Sequence, residues 1–241
     1  MKEKIEGLKF ANLLRSVWLD GAINECVLKI VDGVGSILAI DPTNSVFVQA
    51  KTKIELPNKE IGILDIGVIV RFLDSCRESL YLRYEIEDKF IRFRVKGKGN
   101  AQFALSGIET ISTAIKDELE KINNVIKSKT LLTFNLTQET IDRFKYFIGI
   151  FNNEIVSIEI SKNGGRIKSG AHELKSFDFS VGAEKFNKDL AISVNAKFLS
   201  SVFSLLPIQK NKICTLSFEK NSPLIIQSPN TVWLLSPIGG E

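Results

Sequence analysis

The chain says the same thing twice. Asn100-Ala101-Gln102-Phe103-Ala104-Leu105-Ser106 returns as Asn230-Thr231-Val232-Trp233-Leu234-Leu235-Ser236, an offset of 230 − 100 = 130. The same offset carries the apolar segment from Asp65 to Leu73 onto Asn195 to Phe203. An offset of 131 carries Phe10, Leu13 and Val17 onto Ile141, Phe144 and Ile148. A tandem duplication restricts the fold to two copies of one unit, each with its own core. Divided in two, 241 residues give units near the common domain size. The halves are read as residues 1–110 and 131–241, joined by a connector at 111–130. Duplicated units build surfaces and rings readily, so the repeat points to a geometric task rather than a single catalytic cleft.

Each half reads as one helix, several strands, a second helix and further strands. Over Lys9–Trp18, Phe10, Leu13, Leu14 and Val17 fall at helical spacing, with Lys9, Asn12, Arg15 and Ser16 opposite. In the second half Thr137 caps a helix from Gln138 to Phe151 that buries Ile141, Phe144, Ile148 and Phe151 and exposes Asp142, Arg143, Lys145 and Tyr146. The second helix of each half spans Asp65–Cys76 and Ala196–Leu206. The first carries Arg71 and Asp74 outward. The other is capped by Asn195, exposes Lys197, Ser200, Ser201 and Ser204, and is stopped by Pro207. Between the helices, Cys26, Leu28 and Ile30 alternate as a strand ahead of an Asp32-Gly33 hairpin turn, and Ile155–Ile160 alternates ahead of Asn163-Gly164-Gly165. Ile91, Phe93 and Val95 share a face opposite Arg92, Arg94 and Lys96. The fold class is therefore α+β, two tandem similar domains with antiparallel sheets and helices gathered on one face. Residues 107–130 are polar, with Ile115, Leu119, Ile122 and Ile126 at helical spacing, and read either as an anchored connector or as an ordinary surface helix.

The usual chemistries have little to work with. His172 is the one histidine and sits in a polar stretch, and no nucleophile motif accompanies it. Cys26, Cys76 and Cys214 lack metal-ligand spacing and read as buried thiols, so neither a metal nor a disulfide framework is expected. Lys96-Gly97-Lys98-Gly99 lacks the phosphate-loop spacing and reads as a hairpin turn. No cofactor and no enzymatic activity are expected. A net charge of +4 is too mild to indicate nucleic-acid binding by itself. No run reaches the ~18–20 apolar residues of a membrane span, and no leader segment stands at Met1–Glu6, which leads us to expect a soluble protein of the cytoplasm with no membrane partner.

In order and spacing the chain resembles the sliding clamps of DNA replication, both the proliferating cell nuclear antigen type and the shorter T-even-type phage clamps. The residues that carry the resemblance are Ala22-Ile23-Asn24-Glu25-Cys26 after the first helix, Ala39-Ile40-Asp41, Ser222-Pro223-Leu224-Ile225-Ile226 and Leu234-Leu235-Ser236-Pro237-Ile238, together with the duplication itself. The resemblance implies a homotrimeric ring of six similar domains, helices inside and sheets outside. Three copies of 26.9 kDa make about 81 kDa. Such a ring is a processivity factor: it encircles double-stranded DNA without reading sequence, tethers DNA polymerase, and is opened by an ATP-dependent clamp loader.

The resemblance also implies sites. Lys9, Arg15, Arg71, Arg143, Lys145 and Lys197 would touch phosphates from the inner helices, although each alone reads equally as a solvated helix face. Asp74 departs from the basic inner pattern. A pocket for partner peptides would be lined by Ile40, Val46, Val125, Ile126, Pro223, Leu234, Pro237 and Ile238, of which Ile40, Val46 and Leu234 read equally as core. Ring closure would pair the edge at Gln102–Ser106 with Ser176–Val181 of the next subunit, Phe103, Leu105, Phe177 and Phe179 packing across the seam. The rival from another class is a β-rich virion structural protein, which would share the apolar patterning without needing cations on the helices.

Overall fold

The computed structural model describes residues 4–76, 81–95, 99–111, 132–170, 175–181, 187–206, 214–220 and 222–238. His172, Val125, Ile126, Lys96, Gly97, Lys98 and the bulk of the connector lie outside the described residues. The chain forms two compact units, Met1–Pro42 with Val48–Glu120 and Thr43–Phe47 with Lys121–Glu241.

The first unit runs β1 (Lys4–Glu6), α1 (Gly7–Trp18), β2 (Cys26–Val31), β3 (Val34–Ile40), β4 (Val46–Lys53), β5 (Lys59–Ile63), α2 (Ile66–Ser75), β6 (Tyr81–Ile86), β7 (Phe90–Val95) and β8 (Gly99–Ser106). Its strands lie in the order β1-β6-β7-β8 and then β5-β2-β3-β4. β8 meets β5 through only two residue pairs, Gly62↔Ser106 and Ile63↔Leu105. A Cβ at Gly62 would lie 2.6 Å from the Ser106 carbonyl oxygen, so this junction closes only because Gly62 has no side chain. The Asp32-Gly33 hairpin forms as the sequence indicates, with φ of 50° and 72° at the two turn residues.

The second unit repeats the order: β9 (Leu132–Leu136), α3 (Gln138–Phe151), β10 (Ile155–Ser161), β11 (Gly164–Ser169), β12 (Phe177–Val181), β13 (Leu190–Asn195), α4 (Ala196–Leu205), β14 (Cys214–Phe218), β15 (Leu224–Gln227) and β16 (Thr231–Leu235). Its strands form β9-β14-β15-β16 and a separate sheet β13-β10-β11-β12. The paired strands are antiparallel, as an α+β fold of this kind requires. α2 and α4 stand 130 residues apart at both ends.

Helix starts follow from their caps. Asp65 accepts from the Val68 N–H, Thr137 from the Thr140 N–H, and Asn195 from the N–H groups of Lys197 and Phe198. The apolar faces bury Phe10, Leu13, Leu14 and Val17 on α1, Ile66, Ile69 and Leu73 on α2, Ile141 and Phe144 on α3, and Leu199, Val202 and Phe203 on α4. Phe144 and Phe203 meet edge-on at 5.1 Å, locking α3 to α4. Two details depart from the sequence reading. Ser201 is buried, not exposed, because the covered arc of α4 also takes in Ala196 and Ser201. Ile148 and Phe151 are only half-buried, so the outer end of α3 presents more apolar surface than its periodicity implies.

Candidate nucleic-acid interface

The six cations singled out on the helices divide by how they are held. Lys9 is exposed and its ammonium sits 2.6 Å from Glu6; the hydrogen bond and the charge of Glu6 raise its pKa. Arg15 is part-buried, donates to Asn12 Oδ1 at 2.6 Å, and forms an ion pair with Asp74 of α2. Asp74 is therefore more than a weak spot in a basic helix: it occupies a neighbouring cation. Arg143 is exposed and pairs with Glu139 one turn earlier at 2.6 Å. Arg71 and Lys197 are exposed and make no ion pair among the described residues. Lys145 is half-buried, and its counterpart in the first half, Leu14, is a core residue. The freest cations are thus Arg71 on α2 and Lys197 on α4. Both stand on capped helices anchored by apolar residues, which fixes their direction and leaves their ammonium and guanidinium groups to solvent.

The strand edges divide equally plainly. β12 is an outer strand of its sheet, paired with β11 on one side. β8 is paired along its length with β7, and on its other side only Leu105 and Ser106 are taken, by β5. Its free edge therefore lies at Gly99–Ala104, upstream of the centre of the Gln102–Ser106 segment. The side chains ascribed to the seam take different places in the single chain. Phe177 and Phe179 are 5% and 7% exposed and stack on Phe147 of α3 at 5.4 and 5.6 Å. The β12 pattern turns them inward and Asp178 and Ser180 outward, and alternation alone does not say which set faces the core. Phe103 is half-buried against Phe72 of α2 at 5.3 Å, and Leu105 is half-buried beside β5. Two apolar groups reach the surface near β12: Tyr146, which the sequence already places on the exposed face, and Ile150, which was not singled out there. Tyr146 and Ile150, one turn apart on α3, are 65% and 54% exposed. A depression of about 470 Å³ lined by Asp142, Arg143, Tyr146, Phe147 and Phe179 lies beside them. The sequence signal was present: Tyr146 and Ile150 fall outside the apolar stripe of α3.

The whole chain superposes on solved structures of proliferating cell nuclear antigen. The A. fulgidus protein bound to the C-terminal region of FEN-1 matches with a TM-score of 0.71 at 15% identity, over 99% of this chain and 99% of that one. The protein from Thermococcus kodakaraensis matches with a TM-score of 0.71 at 14% identity, over 98% of this chain and 99% of that one. This is the sliding-clamp fold. No family model and no curated protein sequence matches the chain. The likeness is therefore one of fold, holding over 98–99% of the chain at 14–15% sequence identity.

Within this clamp fold the residues ascribed to a partner pocket are spread over several environments. Val46 and Leu234 are buried core residues, and Ile40 and Pro223 are half-buried. Pro237 and Ile238 are exposed, and the Ile238 N–H donates to the Ser193 carbonyl at 2.7 Å, which pins the tail to β13. Of the described residues ascribed to the pocket, Pro237 and Ile238 are the exposed ones. The three cysteines are buried, and among the described residues no cluster of metal-ligating side chains occurs.

Proposed function

We propose that this chain is a DNA polymerase processivity factor: three copies close into a ring around duplex DNA, and the ring tethers the polymerase and other replication proteins. The observation that carries the reading is the clamp fold extending over essentially the full length of both this chain and the A. fulgidus clamp. The open backbone edges of β12 and of β8 at Gly99–Ala104 support it, because an unpaired edge invites a strand from another copy. Exposed Tyr146 and Ile150 beside β12 supply the apolar area such a seam needs.

In this reading the protein performs no reaction. Arg71 and Lys197, joined by Arg15, Lys9, Arg143 and Lys145 where their acidic partners yield, meet phosphates without reading bases. Weak contacts suit the task, since the closed ring supplies retention and the contacts must break as the ring slides. Tethering through Pro237 and Ile238 raises the polymerase's local concentration toward the millimolar range of linked modules. A closed ring needs an ATP-dependent loader to open it, and the protein works wherever DNA is replicated.

Light scattering should give about 81 kDa, three times the 26.9 kDa chain. Ring loaded on nicked circular plasmid should survive a high-salt wash and be lost when the plasmid is linearised. A lone 26.9 kDa species, or equal loss from circle and line, overturns the proposal.

A further inference from the structure

Directly opposed residues on neighbouring antiparallel strands share one face of a sheet. Lys4, Arg83 and Arg94 are opposed in this way across β1, β6 and β7, and all three are exposed. Three like charges on adjacent strands about 5 Å apart repel one another, so the row adds nothing to folding. The face holds little to neutralise it. Glu85 binds Arg92 at 2.9 Å and lies 3.6 Å from Arg94, while Glu6 is engaged by Lys9. Among the described residues Lys4 and Arg83 make no ion pair.

The duplication provides a control inside the same molecule. Counted by strand register from Asn135, the repeat of Lys4 at an offset of 131, the row opposed across β9, β14 and β15 is Asn135, Thr215 and Gln227. All three are uncharged. The fold therefore does not need cations at these register positions, and only the first half has them. On the β13-β10-β11-β12 sheet, by contrast, Arg166 is held by both oxygens of Asp178, and Lys168 pairs with Glu159.

An aromatic ring accompanies the charge. Tyr81 lies two residues before Arg83 on β6, hence on the same face, and is 50% exposed. Amide side chains stand on β8: Asn100 opposite Arg94, and Gln102 opposite Arg92, whose guanidinium it binds at 2.7 Å. Cations for phosphates, an accessible ring for a base and amides for base edges, all on a four-stranded antiparallel sheet, are the chemistry by which open sheets hold single strands. Duplex DNA hides its base faces and has nothing to stack on Tyr81. An acidic peptide would use the cations and ignore the ring.

We propose that the exposed face of β1-β6-β7-β8 binds single-stranded nucleic acid, with Lys4, Arg83 and Arg94 on the backbone and Tyr81 stacked on a base. The site uses a sheet face, not the helices or strand edges invoked for the ring, so each stands or falls separately. The test is fluorescence anisotropy of a labelled short oligothymidylate with the full-length protein, over a salt series. Wild type should bind with a log–log salt slope of about −2, as three neutralised phosphates on a single strand give. Arg83→Ala with Arg94→Ala, and separately Tyr81→Ala, should each weaken binding about tenfold. Both variants should keep wild-type circular dichroism, and wild-type retention on closed plasmid if the ring forms. Arg71→Ala with Lys197→Ala should leave oligothymidylate binding intact. Absence of binding at low salt overturns the proposal, as does equal binding by Arg83→Ala with Arg94→Ala. Capture of polyglutamate in preference to oligothymidylate, with Tyr81→Ala silent, overturns it in favour of an acidic protein partner.

Discussion

Replacing Asp74 with Asn should push stability and DNA affinity in opposite directions. The Asp74 carboxylate takes the Arg15 guanidinium from α1, and both groups are part-buried. Asparagine keeps the size and one acceptor but loses the charge. A hydrogen bond to a charged group at such a site contributes about 1.5 kcal/mol, roughly twice a neutral one. Against that, Asp74 stands in the last turn of α2, where the helix dipole disfavours an anion by about 0.5 kcal/mol. With a neutral bond of about 0.75 kcal/mol retained and the dipole relieved, the net loss is about 0.25 kcal/mol, a fall in Tm of about 0.5–1 °C for a chain of this size. Arg15 meanwhile becomes available to phosphate, still steadied by Asn12. Each Arg15 that engages duplex DNA should steepen the log–log salt dependence by about 0.9. Thermal denaturation and duplex binding across a salt series read the two effects on one variant. An unchanged salt slope would refute the assignment of Arg15 to the DNA face, whatever happens to Tm.

Three other outcomes follow from the same geometry. Tyr146→Glu with Ile150→Glu alters exposed side chains, so it should leave circular dichroism unchanged and reduce the mass in solution toward 26.9 kDa; an unaltered trimer puts the seam elsewhere. Gly67→Ala should destabilise by about 1–3 kcal/mol through overpacking, since the added Cβ would lie 2.9 Å from the Trp18 ring, and should shift Trp18 emission. The opposite result, the gain of about 1 kcal/mol ordinarily seen for alanine over glycine in a helix, would mean α1 and α2 are not in such close contact. Cys26, Cys76 and Cys214 are buried and should resist a thiol reagent until urea unfolds the chain. Desolvation raises the Cys26 thiol above its ordinary value of 9.0, so its stabilising contribution is complete below that pH. At higher pH the unfolded thiol ionises first, and stability should decline in a urea titration run at increasing alkalinity.

The sequence carried the scaffold because scaffold signals are local. Apolar spacing, the caps Asp65, Thr137 and Asn195, and the Asp32-Gly33 turn each act within a few residues, and the structure has all of them. The site was less legible because its decisive facts are non-local. Nothing near Arg15 in sequence indicates that its partner lies 59 residues away. Alternation placed Phe177 and Phe179 on one face of β12 correctly but could not tell that Phe147 waits there to stack on them. Likewise the Gly62 junction between β5 and β8, which consumes Leu105 and Ser106, depends on an approach of two sheets that no window of sequence contains.

Comparison of the halves explains where the duplication was broken and why that matters. An offset of 131 sets Arg15 against Tyr146, and an offset of 130 sets Asp74 against Ser204. In the first unit these positions tie α1 to α2 by an ion pair. In the second the tie is gone, Tyr146 is 65% exposed, and Ile150 is bare beside it. Exposed rings and aliphatic groups add little to the fold of a single chain, and here they form a surface next to the free edge of β12. Two identical halves would present identical faces. A head-to-tail ring needs two different surfaces that fit each other, because every copy must offer a donor face on one side and a receiving face on the other. In the proposed ring, the Arg15–Asp74 tie present in one half only is one such difference between the two faces.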